Sequence, residues 1–339
     1  MGETYLNFVD VAAQTHNNEL LPMVQEIVRP TTMLSDSTWK QSTDMLRDVT
    51  GLRGEPPRGQ WVAVDEGVKP NKGDHEKMEE EMGILEAWSE VNEKTMMISP
   101  SPDALRWEND RAHLEGMGFD LEEALIYGNR EEDVRMFRGF MPRFTKLTNF
   151  RGVDSNGKKH PFVTLGAGGS GGTSNSSMVF VVWGGDGANM LYPRFQAQNG
   201  IQFNHFGYEN ITDSDGKIKR VARSQFIATA GLSLANRRAC VRIANIEASL
   251  ADAQFEDNMK NLVSCMYQAF AAIPAPYRSR VKIYTNAEVI LALRHAYADR
   301  VSPARYVDAI PANAYGDIMF ENFIVRQCDS MLATEDVVS

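Results

Sequence analysis

The sequence predicts an α+β protein, and three observations carry that prediction. Apolar residues recur at helical spacing over 102–127, about 39 Å of helix at 1.5 Å per residue. Strand patterns separated by turn residues dominate residues 130–247. Two further helical patterns, at 248–272 and 288–299, flank a short strand pattern at 281–284. There is no internal repeat and no heptad series, so the mixture of elements indicates an α+β fold.

The long helix has sequence signals at both ends. Ser101 precedes it as a candidate N-cap, with Pro102 at the first helical position. Gly128 predicts the end of the helix, in the left-handed conformation that glycine favours. Gly116 and Gly118 each cost about 1 kcal/mol relative to alanine inside a helix. We therefore expect the helix to be bent or closely packed at these two positions.

The first hundred residues predict an arm followed by a hairpin. Residues 1–50 are poorly periodic and contain prolines that interrupt a long helix, so we expect an extended arm. Glycines and prolines at 51–59 mark a boundary. Strand patterns at 61–64 and 84–98 enclose a polar stretch, 66–81, and predict a long hairpin with a charged tip. Such a hairpin is marginally stable alone and needs a partner surface.

The composition is that of an ordinary globular protein, with 43% hydrophobic and 24% charged residues. No apolar run approaches the roughly 20 residues of a membrane span, so we expect no membrane partner. The first residues lack the basic and apolar segments of a secretory signal. Cys240, Cys265 and Cys328 are widely spaced and predict neither a disulfide framework nor a zinc site.

Two loops match nucleotide-binding motifs without their structural context. Residues 166–171 fit G-x-G-x-x-G, but a strand pattern follows where the dinucleotide motif needs a helix. Residues 152–159 are one residue from a P-loop, yet Lys159 replaces the magnesium-binding hydroxyl and Pro161 prevents the next helix. We interpret the second loop as a hairpin turn. A nucleotide-using enzyme built on 152–172 stays an alternative, and nucleotide-induced thermal stabilisation would reveal it.

The sequence predicts no catalytic residue, no metal site and no cofactor. The six histidines include no H-E-x-x-H and no paired spacing, and no G-x-S-x-G is present. Paired carboxylates occur only inside runs of charge. None of the usual arrangements of a nucleophile, a base and an orienting group is assembled.

Charge is concentrated in two opposed blocks of a chain whose net charge is −10. Residues 65–93 contain ten acids and three lysines, and residues 217–242 contain seven bases and no acid. They are either two solvated faces or complementary surfaces that favour the correct contacts within or between subunits. On the second interpretation, the candidate interface residues are Asp65, Glu66, Asp74, Glu76, Glu79, Glu80, Glu81, Glu86, Lys217, Lys219, Arg220, Arg223, Arg237, Arg238 and Arg242. The basic stretch 135–159 is the second candidate for the counter-surface.

Blocks along nearly the whole chain resemble one family in their order and spacing. Residues 103–129 are similar to the spine helix of phage major capsid proteins. Residues 137–144, FRGFMPRF, are similar to the F-x-G-L-x-P-R segment that follows the helix in one subgroup. Blocks within 168–193, 241–246 and 323–335 are similar to that subgroup's later segments. The chain therefore resembles the major capsid proteins of tailed double-stranded-DNA phages, which have the HK97-type fold.

The resemblance implies a division of the chain into the parts of that fold. These are an N-terminal arm (1–50), an E-loop hairpin (51–99), a spine helix of the P-domain (100–129), β-rich P- and A-domain strands and loops (130–247), A-domain helices and a strand (248–317) and a C-terminal closing strand (318–339). The hairpin would lie across a neighbouring subunit. Because strands precede the helix pair, in contrast to the archetype, the resemblance leaves the connectivity of the strands open to rearrangement.

The resemblance also implies a shell protein with no enzymatic activity. Its copies would form hexamers and pentamers of an icosahedral head, assembled in the cytoplasm of the host bacterium. The head would enclose double-stranded DNA bound without sequence specificity. Further partners would be a portal, a decoration protein and a separate scaffolding protein, since no long scaffolding region precedes the arm. The alternative is an encapsulin-like nanocompartment shell, which the absence of neighbouring terminase and portal genes would indicate.

The opposed charge blocks yield a first testable prediction. Reversing Glu79, Glu80 and Glu81 to lysine should block or slow assembly while the subunit stays folded, because like charges would meet at every contact. High salt should weaken the defect. Reversing Arg220, Arg223 and Arg237 to glutamate in the same chain should partly restore assembly. Light scattering at low salt checks this, and normal assembly of the triple variant would contradict it.

Overall fold

The fold is α+β, as the sequence predicts, in a computed structural model. It describes residues 7, 9, 20–53, 59–70, 75–169, 175–194, 200–212, 215–249, 254–298 and 318–339. The helices in these ranges are α1 (Leu20–Val28), α2 (Thr32–Asp36), α3 (Glu93–Ile98), α4 (Pro102–Tyr127), α5 (Phe255–Ala272) and α6 (Ala287–Ala298). The predicted long helix is α4, with the expected bounds.

The strands of the described ranges form two large sheets and a separate pair. In chain order they are β1 (Trp39–Gln41), β2 (Arg47–Arg53), β3 (His75–Glu81), β4 (Gly83–Asn92), β5 (Val163–Gly166), β6 (Asn175–Val182), β7 (Ala188–Tyr192), β8 (Ile201–Thr212), β9 (Ile218–Leu234), β10 (Cys240–Glu247), β11 (Val281–Thr285), β12 (Met319–Phe320) and β13 (Phe323–Gln327). One sheet has the order β1-β7-β9-β4, with β8 also paired to β9. The other has the order β12-β13-β11-β6-β10-β5, and β2 pairs only with β3.

The predicted strand block is divided between the two large sheets. The chain leaves the six-stranded sheet after β6 and builds β7, β8 and β9 of the five-stranded sheet. It then returns as β10, antiparallel to β6. This excursion explains why the strands precede the helix pair in the sequence. The helix α5 begins at Phe255 rather than at residue 248, and Ala248 and Ser249 lie outside any helix.

Two hydrophobic cores lie on either side of β6. The first joins α1, α4 and the five-stranded sheet, and the second joins the six-stranded sheet to α5 and α6. All eight residues of β6 are buried, and its side chains alternate between the cores. Val179 and Val181 belong to the first core, whereas Met178, Phe180 and Val182 belong to the second. A strand covered on both faces is mostly apolar, as β6 is from Met178 to Val182, and this strand belongs to both cores.

The predicted hairpin exists, but its strands are wrong. Antiparallel pairing joins β2 to β3, with Arg47 opposite Glu81, whereas residues 61–64 lie outside any strand. The strand predicted from residue 84 pairs with β9 in the five-stranded sheet. Its alternate residues Leu85 and Ala87 pack against the first core, which draws β4 away from the hairpin.

The prediction of an extended arm is wrong for residues 20–36. The apolar residues of α1 recur at helical spacing, and Met23, Val24 and Ile27 are buried in the first core. Pro22 lies in the first turn of α1, where its missing N–H group has no helical partner in any case. The arm prediction for residues 1–19 falls outside the described residues, except for Asn7 and Val9.

Glycine allows close approaches along α4. A Cβ on Gly118 would overlap the carbonyl oxygen of Ile27 in α1, whereas a Cβ on Gly116 would have no atom within 4 Å. The close packing predicted for these glycines therefore applies to Gly118 alone. At the end of the helix, Gly128 has a φ of −47°, so the predicted left-handed cap is wrong. Glycine is required there because a Cβ would lie 2.6 Å from the carbonyl oxygen of Phe137.

These two helical glycines give a matched stability test. Gly118→Ala should lower the free energy of unfolding by about 1–3 kcal/mol, because α1 must move away from α4. Gly116→Ala should raise it by up to about 1 kcal/mol, since alanine is the better helix former and meets no neighbour. Denaturant unfolding of the unassembled subunits measures both changes. Equal effects of the two substitutions would contradict the close packing of α1 on α4.

Candidate assembly surface

The base of the β2–β3 hairpin is held by a buried ion pair. The guanidinium of Arg143 donates to both carboxylate oxygens of Glu80, over 2.5 and 2.8 Å. The side chains of Arg143 and Glu80 are only 0% and 5% exposed. Arg143 also donates to the carbonyl oxygens of Gly139 and Arg138. The bidentate geometry fixes the direction in which β3 leaves the core.

Glu80 is therefore not an intersubunit residue, and its assignment to the interface is wrong. Its neighbour Glu81 lies within ion-pair distance of Arg47 (3.6 Å) and also contacts Arg130. Both acids lie at the base of the hairpin rather than at its tip. Reversing them would bury a lysine beside Arg143, so the triple reversal predicted to leave the subunit folded should instead unfold it.

The bases of β9 are partly matched within their own subunit. Arg223 lies between Glu90 of β4 (2.8 Å) and Glu209 of β8 (3.2 Å), because these strands flank β9. Arg220 lies 3.3 Å from Glu93. The structure thus brings parts of the two predicted charge blocks together, but through the pairing of β4 with β9 in one chain. This lowers the charge that Arg220 and Arg223 can offer to a neighbour.

Arg242 is buried, so its assignment to the interface is wrong as well. Its guanidinium donates to Glu335 over 2.7 Å, to Ser177 over 3.0 Å and to the carbonyl oxygen of Phe144 over 3.1 Å. Tyr127, at the end of α4, donates to the other oxygen of Glu335 over 2.6 Å. Burial, and then the adjacent carboxylate, raise the pKa of Tyr127, so its hydroxyl stays protonated and keeps donating.

The remaining candidate residues are dispersed. Asp65 and Glu66 are exposed in the connection between β2 and β3, and Asp74 lies outside the described residues. Glu76 and Glu79 lie in β3, Glu86 lies in β4, and Lys217, Lys219, Arg237 and Arg238 lie in or beside β9 and the turn before β10. For these residues an intersubunit role stays a prediction.

The connection between β2 and β3 presents apolar side chains to solvent. Every residue in 59–70 is exposed, and Trp61 and Val64 are fully so. A short turn orders part of it, because Glu66 N–H donates to the carbonyl oxygen of Ala63 over 3.1 Å. We refer to residues 59–70 as the hairpin tip. Large apolar side chains without contacts in their own subunit indicate a surface that is covered by another molecule.

The buried ionic groups are not predicted from the sequence, although one signal for them is present. Arg242 stands between Val241 and Ile243 in the otherwise apolar stretch from Cys240 to Ala244, a pattern that requires a buried partner. Its partner Glu335 carries no such signal, because it lies in a C-terminal segment without regular periodicity. Glu80 is hidden between two other glutamates, of which Glu79 is exposed.

The loops that resemble nucleotide motifs have other structures. Residues 152–159 form the predicted turn, closed by an antiparallel bridge between Val153 and Lys159. Asp154 accepts hydrogen bonds from the backbone N–H groups of Asn156 and Lys158. The glycine-rich loop leads from β5 into β6, although residues 170–174 lie outside the described residues. A strand therefore follows where a dinucleotide site needs a helix.

Within the described ranges, no three His, Cys, Asp or Glu side chains are arranged to hold a metal ion. The described helices include none with the length and hydropathy to cross a bilayer. The three cysteines are buried as free thiols, and burial raises the pKa of Cys240 to about 12. These thiols are consequently protonated and unreactive at neutral pH.

Comparisons with known proteins give the family and the fold. A family model described as "Major capsid protein GP7" matches residues 16–339. The solved structure of bacteriophage Epsilon15 has a TM-score of 0.64 at 21% identity, and the match covers 100% of this chain and 98% of that chain. The capsid of bacteriophage JBD30 has a TM-score of 0.48 at 12% identity, over 88% and 89% of the two chains. No curated protein matches the sequence. The likeness to Epsilon15 shows that the fold is of the HK97 type.

The ion pair at the hairpin base gives a second matched test. Glu80→Gln should lower the free energy of unfolding by about 3–5 kcal/mol, because it leaves the guanidinium of Arg143 buried without a counter-charge. Glu79→Gln, on the same strand and exposed, should leave stability nearly unchanged. Denaturant unfolding of both variants is the measurement. Similar stabilities for the two would show that the pair does not hold the hairpin.

Proposed function

We propose, on the premise that the chain belongs to the family of major capsid protein GP7, that its copies form the hexamers and pentamers of a head enclosing double-stranded DNA. Membership of the family makes the chain a phage capsid shell protein, with a structural rather than an enzymatic role. It assembles with copies of itself, and its place is the virion capsid. The family match also favours a phage capsid over the nanocompartment alternative.

The exposed hairpin tip is the observation that carries this proposal. Trp61 and Val64 are fully exposed in the described part of the chain, although burying large apolar side chains is favourable. In a capsomer each subunit has a neighbouring copy, and that copy would cover these two side chains. We propose that the β2–β3 hairpin with residues 54–74 is the E-loop, and that α4 is the spine helix. The five-stranded sheet would then belong to the P-domain, and the six-stranded sheet with α5 and α6 to the A-domain.

Several finer parts of the proposal concern partners and place. We propose assembly in the host cytoplasm with a separate scaffolding protein, around a portal, and with a decoration protein on the finished shell. DNA would be enclosed without sequence-specific contacts, because a chain with a net charge of −10 repels a phosphate backbone on average. Binding of duplex DNA to the subunit with a steep dependence on salt would contradict this last part.

Assembly itself is tested by microscopy. The purified protein, alone and with a scaffolding protein, should form closed shells that contain both six-fold and five-fold capsomers in electron micrographs. Trp61→Ser combined with Val64→Ser should leave the melting temperature of the subunit unchanged but reduce shell formation, since both side chains are fully exposed. A compact monomer by light scattering under every assembly condition would refute the proposed function.

A further inference from the structure

A basic cavity opens beside the base of the hairpin. Its volume is about 340 Å³, and it lies between β3, the segment after α4, the loop before β5 and the turn before β10. Lys77, Arg138, Lys146 and Arg237 line it, and none of the described lining residues is acidic. The two basic stretches singled out in the sequence, 135–159 and 217–242, therefore converge at one place. This convergence could not be predicted from the sequence, because nearly a hundred residues separate Lys146 from Arg237.

Part of this positive charge has no counter-charge among the residues that the structure describes. Arg143 is matched by Glu80, and Lys77 lies 2.9 Å from Glu79. Lys146 and Arg138, in contrast, are exposed and form no ion pair with any described residue. Both can therefore reach an anion inside the cavity.

A buried hydroxyl points to a ligand in the same cavity. Thr164 lines it, is 1% exposed, and its Oγ1 atom has no hydrogen-bond partner among the described residues. An unpaired buried hydroxyl is unfavourable, and an anion in the cavity would accept a hydrogen bond from it. This observation is independent of the clustered bases.

The cavity also has apolar walls, made by Met78, Pro142, Pro161 and Phe162. A ligand that fits it therefore combines negative charge with apolar groups. The hairpin tip has this composition, since Val64 directly precedes Asp65 and Glu66, and Trp61 lies three residues before Val64. All four side chains are exposed, so the tip does not occupy the cavity of its own subunit.

We propose that the cavity receives the Asp65–Glu66 carboxylates of a neighbouring copy of this chain. Lys146 and Arg138 pair with the carboxylates, Thr164 donates a hydrogen bond to one of them, and the apolar walls cover Val64. This inference rests on the proposed shell function and names the contact that the hairpin tip makes. Phosphate groups of nucleic acid would satisfy the bases, but they would leave both the apolar walls and the apolar tip uncovered.

Zero-length coupling tests the contact in assembled shells. Shells are formed from equal amounts of ¹⁴N- and ¹⁵N-labelled subunits and treated with a carbodiimide, which joins a carboxylate to an adjacent lysine amine with loss of water. Mass spectrometry should find Asp65 or Glu66 joined to Lys146 in peptides of mixed isotope composition, which only two different copies can produce. Lys158, exposed on the turn at 154–158 and outside the cavity lining, is the internal control and should not be joined.

Two variants complete the test. Lys146→Arg should abolish the coupling but leave assembly unchanged, because it keeps the charge and removes the reactive amine. Lys146→Glu should slow assembly several-fold, and Glu66→Lys in the same chain should restore it.

Intact shells without coupling to Lys146, or coupling to Lys158 to the same extent, would overturn the proposed contact while leaving the shell function standing. Loss of duplex-DNA binding in Lys146→Glu, with no effect on assembly, would assign the cavity to phosphate instead. Failure of the unmodified chain to form shells would overturn the proposed function itself.

Discussion

The carboxylate of Glu335 joins parts of the molecule that are far apart in the chain. It accepts hydrogen bonds from Tyr127 at the end of α4 and from Arg242 of β10, and it contacts Ser177 of β6. One acid from the C-terminal segment therefore links the long helix of the first core to the sheet of the second core. Because Glu335, Arg242 and Ser177 are buried and Tyr127 is partly buried, each partner also removes a desolvation penalty from the others. The relative position of the two cores depends on this network and on β6.

A second buried acid performs the same role on the other side of α4. Glu122 accepts hydrogen bonds from the backbone N–H of Met33 in α2 and from the hydroxyl of Ser330 in the C-terminal segment. The long helix is thus tied through carboxylates to both ends of the described chain. In many acidic proteins the carboxylates lie mainly on the solvated surface. Here several of them, including Glu80, are structural groups that hold one element against another.

The elements with strong local signals were predictable, whereas the long-range pairings were not. Apolar periodicity and Pro102 defined α4, and turn residues separated most strands, because these features act over a few residues. The partner of β3 was missed, because β2 has a mixed composition and its register depends on contacts outside the pair. The apolar character of α1 was overlooked beside Pro22. In the candidate site, Glu80 and Arg242 were assigned to a surface because charge in a sequence does not reveal burial. Their partners, Arg143 and Glu335, are 63 and 93 residues away.

The ion pair at the base of the hairpin has a mechanical consequence. From Glu80, β3 continues to His75, about 17 Å at roughly 3.4 Å per residue. The base is fixed in the core, whereas the described residues of the far end, 59–70, are exposed, so the hairpin can rotate about a pivot at the guanidinium of Arg143. A small rotation about that pivot, within the tolerance of the two hydrogen bonds, displaces the far end by a larger amount. Flatter and more sharply curved regions of a shell can then be built from subunits that differ only in the angle of the hairpin, with every side chain at the pivot keeping the same partner.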